Sequence, residues 1–387
     1  MVYPIDGAPL EKGSVLFDEG RIVAIGSEIS PPANSEVIDA TGKHVYPGLI
    51  DADSAIGLVE IGSVRATRDY AEVGETTPNV VAHSAFNPDS ESIPVARANG
   101  VLTALSVPRG GLVRGMSSVM KMDGWNANDM SLRKECGLHI RWPNTLPRDG
   151  DESTTNGGNN QIEQLTTLFE DARAYQSAAE NGQVDHDLRL EAMQPVLRGK
   201  LPLFVHADEA SQIQSSVAFA VREQVRLVIV GGYDAEYCAG LLRRHRVPVI
   251  ITSSYRVPRR RQDPVDEPFT LAARLQAAEI AFCIAGTGRF EASDLRNLPY
   301  HAGTAVAYGL SKDDALRSIT LSVAEILGVE EEIGSLAPGK RATLFVTDGD
   351  ILEIPTQVEF AFIDGRRVDL NSRHTRLHKK YQKRYEK

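Results

Sequence analysis

The side chains able to do chemistry in this chain are few and scattered. Its three cysteines, Cys136, Cys238 and Cys283, stand far apart. They form neither a disulfide framework nor a CxxC metal knuckle, and Cys283, with no base beside it in sequence, reads as an inert core thiol. Pro108-Arg109-Gly110-Gly111, with Arg114 just beyond, could turn backbone N–H groups and guanidinium charge toward an anion, though glycine pairs mostly only turn the chain. Arg259-Arg260-Arg261 reads as a solvated loop that, over a cleft, would draw an anionic ligand. Residues 57–95 gather Arg65, Arg68, Asp69, Glu72, Asn79, His83, Asn87 and Asp89 in a stretch too long for a plain connection. No phosphate loop or dinucleotide fingerprint occurs.

The elements that must position these residues have a clear rhythm. Ser14–Phe17 and Arg21–Gly26 flank Asp18-Glu19-Gly20, a hairpin signal, and Glu36–Asp39 reads as a further short strand. From His44 onward, short apolar runs alternate with longer helical patterns. The runs are Val45–Ile50, Val101–Val107, Ser118–Met122, Leu138–Trp142, Leu203–Val205, Arg226–Val230, Val247–Ile251 and Ala281–Ala285. They are too short and continuous for half-exposed antiparallel strands and suit a parallel sheet covered by helices. The stripe Ile162, Leu165, Phe169, Ala172, Tyr175 predicts one helix, Asp234 caps a second, and Ser311 with Asp314 opens a third through Leu327. Eight such strands alternating with helices predict a (β/α)₈ TIM barrel. The polar run Asp149–Asn160 reads as a surface loop, and the 57–95 excursion would lie over the C-terminal mouth.

Strands with turns return at Ile333–Thr347 and Val358–Arg366. Chain ends often lie together, so the two ends predict one small β-sandwich. The division expected is 1–45 and 331–368 for the sandwich, 46–330 for the barrel, and 369–387 for a basic amphipathic helix. In that helix Leu370, Leu377, Tyr381 and Tyr385 share a face, which predicts docking on the body rather than on a membrane surface.

Composition is ordinary for a globular chain of 387 residues, with 42% apolar and 24% charged residues. The net charge of −10 argues against a nucleic-acid binder. Residues 366–387 carry nine Lys/Arg against two Asp/Glu, so the rest of the chain stands at −17. No apolar run reaches a membrane span and no signal peptide opens this numbering. A soluble protein is expected, cytoplasmic or exported after loss of an upstream signal.

Tyr46-Pro47-Gly48-Leu49-Ile50-Asp51 resembles the first barrel strand of the amidohydrolase superfamily. Thr320–Gly328 is similar to its last barrel helix, and Ile333-Gly334-Ser335-Leu336-Ala337-Pro338-Gly339-Lys340-Arg341-Ala342-Thr343-Leu344 to its closing signature. The order holds from about Gly13 to Arg367, and the imidazolonepropionase-like branch is the nearest match. The resemblance implies a TIM barrel beside a β-sandwich built from both ends. It also implies a divalent metal, usually zinc, held by histidines on strands one, five and six and an Asp on strand eight. Such a metal activates water and polarises an amide.

Most of those positions are changed. Asp53 stands at the first His of the His-x-His motif and Ala55 at the second. His206 keeps its place at the end of strand five, Gly231-Gly232 replaces the strand-six His, and Gly288 takes the Asp position. A catalytic zinc wants three protein ligands and an open position. Asp53 and His206 with one further carboxylate could rebuild a site, or both could be leftover polar groups at the barrel mouth. Arg109, Lys121, Arg141, His83, His301 and Asp208 are the candidates for lining that mouth. Asp123, His139 and Glu209 are further polar candidates, and His44 reads as structural.

The reading is a hydrolase of non-peptide carbon–nitrogen bonds in a small, cyclic-amide-like substrate, with a degenerate or rebuilt zinc site. The alternatives are an inactive relative that binds a ligand or an active paralogue, and a metal-free enzyme using the 57–95 excursion. Homo-oligomers and hetero-oligomers with a paralogue are both open.

Overall fold

The computed structural model describes residues 1–145, 152–182, 185–286 and 291–386. Strands β1 (Ser14–Asp18) and β2 (Arg21–Gly26) form a hairpin closed through Glu19-Gly20, both at positive φ, as a two-residue turn between right-twisted strands requires. β3 (His44–Pro47) belongs to a different sheet from β4 (Leu49–Ser54). The single strand expected over Val45–Ile50 is therefore two, parted at Gly48, where a Cβ would press on Leu102 and Thr343.

The barrel sheet holds β4, β5 (Val101–Ser106), β6 (Val113–Lys121), β7 (Ser131–Arg141), β8 (Leu203–Ala207), β9 (Leu227–Gly231), β10 (Val249–Ile251) and β11 (Phe282–Ile284), hydrogen-bonded in that order. It is not uniformly parallel. β6 runs antiparallel to both β5 and β7, so the expected third strand, Ser118–Met122, is largely the return arm of a hairpin. Between β5 and β7 there is no crossover helix to reverse the chain, and antiparallel pairing is what a short connection allows. The other neighbours pair in parallel. β11 and β4 meet at the seam without a shared ladder among the described residues.

Two apolar layers hold this shape. One lies between sheet and helices, with Leu138, Phe169, Val205, Phe219 and Leu271 among its members. The other fills the barrel interior, where Ile50, Leu105, Val119, Phe204, Val230 and Cys283 pack on Val323 and Leu327 of the helix Leu321–Leu327. That helix plugs the bottom of the barrel, so the polar residues are left to the opposite end.

β12 (Leu344–Thr347), β13 (Val358–Ile363) and β14 (Arg366–Arg367) join β3 in a four-stranded sheet of order β14-β13-β12-β3. Ile22, Val45, Leu344, Val346 and Phe362 form a core that it shares with the β1–β2 hairpin. Both chain ends thus build one small β-structure beside the barrel.

Four local expectations need correction. Glu36–Asp39 is not a strand, and Val37 is 71% exposed, with no sheet edge to bury it. The Asp149–Asn160 loop is helical from Glu152, within Glu152–Glu180; residues 149–151 lie outside the described residues. Asp234 makes no side-chain cap: it precedes a 3-10 turn, and its carboxylate is taken by Arg260. The helix Arg373–Tyr385 forms behind a Ser372 cap and buries none of its own residues, so of the expected face only Leu370, just before it, packs on the core among the described residues. Arg376 on Glu91 is its ion pair to the body. The run 312–327, by contrast, starts at Ser311 as expected, the hydroxyl accepting the Asp314 N–H at 3.1 Å.

Candidate active site

The chemistry collects at the C-terminal ends of β4, β5, β7 and β8 and at the start of the reversed β6. On β4 the register slips by one residue between Asp51 and Ser54: Asp51 faces Ala104 and Ser54 faces Ser106. A bulge of this kind re-aims side chains. Asp51 is fully buried, its Oδ1 accepting the Gly286 N–H at 2.6 Å and its Oδ2 the Asp53 N–H at 3.1 Å. The first bond ties β4 to the residue group after β11, stapling the seam by a side chain where the ladder is missing. Burial pushes the Asp51 carboxyl up to about 7, with the charge of Asp53 adding to it against the lowering pull of the Gly286 N–H.

Asp53 is 2% exposed, and the Arg109 guanidinium lies 2.7 Å from its Oδ1. Arg109 follows β5, and its backbone N–H donates to Tyr70 O of the long excursion. Leu112 N–H and Val113 N–H donate to Glu75 O in the same way. The excursion thus lies along the mouth, as expected, and fixes the segment that carries Arg109.

On the neighbouring strands, His139 of β7 and His206 of β8 meet with Nδ1 and Nε2 3.0 Å apart. One of these nitrogens donates and the other accepts. The His139 ring lies flat on Phe204, centroids 4.6 Å apart. Burial holds both imidazoles well below their usual range, and the charges of Arg114 and Arg109 push the same way. His139 Nε2 is buried with no hydrogen-bond partner. Arg109 therefore acts on the carboxylates and on the imidazoles, and joins them into one cluster.

Among the described residues no three His, Cys, Asp or Glu side chains group to hold a metal ion. Asp53 is matched by a guanidinium, His206 by a second imidazole, and Ala55 is buried without donors. The strand-six position is filled from elsewhere: a Cβ on Gly231 would collide with Asp208 Oδ1. Gly288 lies outside the described residues.

The other predicted residues divide. Arg141 pairs in register with His206 and belongs to the mouth. Asp208, just past β8, lies 3.9 Å from Arg259, and burial raises its carboxyl to about 6. His301 is 2% exposed and stacks on Tyr255 at 4.1 Å, below the loop after β10. Burial lowers its imidazole to about 4. Lys121 is not at the mouth. It ends β6, whose reversed direction carries it to the bottom, where its Nζ lies 2.7 Å from Asp364 of the small sheet. His83 is not there either: it sits on the helix Ala82–Ala85 against β6, beside Lys134, Asn128 and Ala127. Asp123 is bonded to Arg97 and Glu209 to Arg259. The arginine run is not solvated as a whole, since Arg260 grips Asp234 with both guanidinium nitrogens. Sequence reasoning missed Asp51 as the seam staple and Arg256 over the Tyr233 ring at 3.8 Å. It read Arg114 only as a neighbour of the glycine pair; no spacing rule ties Arg114 on β6 to imidazoles on β7 and β8.

Residues 273–368 match the amidohydrolase family model. The chain is 27% identical over 181 residues to imidazolonepropionase of Rhizorhabdus wittichii, covering 46% of this chain and 41% of that protein. It is 23% identical to imidazolonepropionase of Mesorhizobium japonicum over 95% of this chain and 92% of that one. The crystal structure of an amidohydrolase from Thermotoga maritima superposes with a TM-score of 0.85 at 28% identity, over 95% and 97% of the two chains. With the Ile-Asp strand and the two-ended β-structure, these matches make the chain similar to amidohydrolases over its length, with imidazolonepropionases among its relatives.

Proposed function

We propose that this chain hydrolyses a carbon–nitrogen bond in a small cyclic amide held at the barrel mouth, with guanidinium charge in place of a metal. The observation that carries the reading is the convergence of Arg109 and Arg114 on a pair of neutral imidazoles, His139 and His206. The imidazolone in the names of two relatives supports the substrate class. In the step proposed, water adds to the amide carbon and its proton passes to His206 Nδ1. The carbonyl oxygen becomes an oxyanion facing the guanidinium groups, and fixed positive charge at that point is the main source of rate in acyl chemistry. Collapse breaks the C–N bond, and the proton on His206 passes to the leaving nitrogen. His139 fixes the tautomer of His206 through their shared hydrogen bond.

A second reading has its own observation. The charges that would stabilise an oxyanion also disfavour an imidazolium, which makes His206 a weak base. On that reading the chain binds the amide, or an active paralogue, without turning it over. The test is hydrolysis and binding of imidazolone and hydantoin compounds, with and without chelator, beside metal analysis and Arg109→Met and His206→Ala variants. Turnover that survives chelation and is lost in both variants supports the proposal. Binding without turnover supports the second reading. One zinc per chain, lost in His206→Ala and Asp53→Ala, overturns the metal-free site.

A further inference from the structure

A cavity lies at the other end of the barrel. It has a volume of about 800 Å³ and opens beneath the N-terminal ends of β8 to β11, at Pro202, Leu227, Pro248 and Phe282. Its walls are apolar on one side, with Val217, Val225 and Ile280 among them. On the other side are charges of both signs, and the two signs are not equally engaged. Glu325 is held by Arg317 at 2.5 Å, and Asp314 accepts from the Ser311 hydroxyl at 2.6 Å. Arg226 and Arg246, which also line the cavity, are exposed, and their side chains make no hydrogen bond or ion pair among the described residues. They precede neighbouring parallel strands: Arg226 stands one residue before β9 and Arg246 three residues before β10. Two guanidinium groups on one cavity, beside an apolar wall, attract an anion.

Two helix ends at the cavity leave the right-handed region. The helices Ala210–Arg222 and Ala239–His245 are each followed by a residue in the left-handed region, Gln224 at φ +54° and Arg246 at φ +52°. Glycine is the residue that fits such helix ends without strain. Both positions keep long polar side chains instead, and both line the cavity. The same conformation recurs at Glu279 after the helix Glu267–Ala277, where the side chain pairs with Arg243.

We propose that this cavity is a second binding site, for a small organic anion with an apolar body, such as an aliphatic carboxylate. Arg226 and Arg246 hold the anionic group, and the valine and isoleucine wall holds the chain. The site is separate from the mouth and does not depend on the function proposed there.

The test uses the full chain with octanoate in calorimetry and 8-anilinonaphthalene-1-sulfonate as a fluorescent competitor. Arg246→Gly suits the left-handed backbone and removes the charge while keeping the fold. Arg226→Gln removes the second charge, and Arg244→Ala, on the same helix but outside the cavity lining, is the control. Octanoate should displace the dye from the parent, and its affinity should fall at least tenfold in Arg246→Gly and in Arg226→Gln but not in the control. No octanoate binding to the parent, or affinities within twofold in both cavity variants, would overturn the proposal. Equal loss in the control would overturn it too, as general surface charge.

Discussion

Replacing Arg109 by methionine keeps much of the stem but removes the cation from the centre of the candidate site. Its partner Asp53 has a side chain only 3% exposed, and Arg109 itself is 13% exposed, so solvent screens the pair weakly. Breaking a buried pair from one side costs about 3–5 kcal/mol, because the remaining charge stays buried without compensation. At about 2.1 cal/mol/K of unfolding entropy per residue, a chain of 387 residues that melts as one unit would lose roughly 4–6 °C in Tm. Asp53→Asn in the same background removes the stranded charge. The double variant should therefore be more stable than Arg109→Met alone, by at least about 2 kcal/mol, within the range seen for contacting residues. Denaturant melts of the four proteins in the cycle measure this directly. A Tm loss below 1 °C in Arg109→Met, or energies that simply add, would show that the pair does not organise the mouth.

Other outcomes follow from the same geometry. His139 and His206 are held neutral, so the unfolded chain takes up protons below about 6.5 that the folded chain does not; the stability they give is present above that pH and lost as pH falls. His139→Phe should flatten the loss of Tm between pH 7.5 and 5. Asp51 works in the opposite sense: its raised pKa stabilises the fold at low pH and that gain is lost as pH rises through about 7, so Asp51→Asn should steepen the acid-side loss. Gly231→Ala should destabilise the chain by several kcal/mol and displace Asp208, since the new Cβ meets that carboxylate at a φ of +102°; a stable variant with unchanged ligand binding would contradict the packing described. Lys121→Met should lower Tm through loss of the Asp364 contact yet leave ligand binding at the mouth unchanged.

The sequence by itself determined the architecture and the family resemblance. Short apolar runs alternating with helical stripes required a covered barrel sheet, and the Ile-Asp strand and closing signature marked its two ends. Patterning decides this much because burial of an apolar face depends only on local period. It could not show that β6 runs backwards, since an apolar run reads the same in either direction. That reversal carried Lys121 from the mouth to the bottom and placed Arg114 at the mouth instead. The departures from the family pattern were legible position by position at Asp53, Ala55 and Gly231. What surrounds those positions was not: Arg109 on Asp53, His139 on His206, and Asp208 over Gly231 are contacts between residues 23 to 67 positions apart in the chain. No local period encodes such pairs, because they arise only when the strands close around one mouth and buried charges must find partners there.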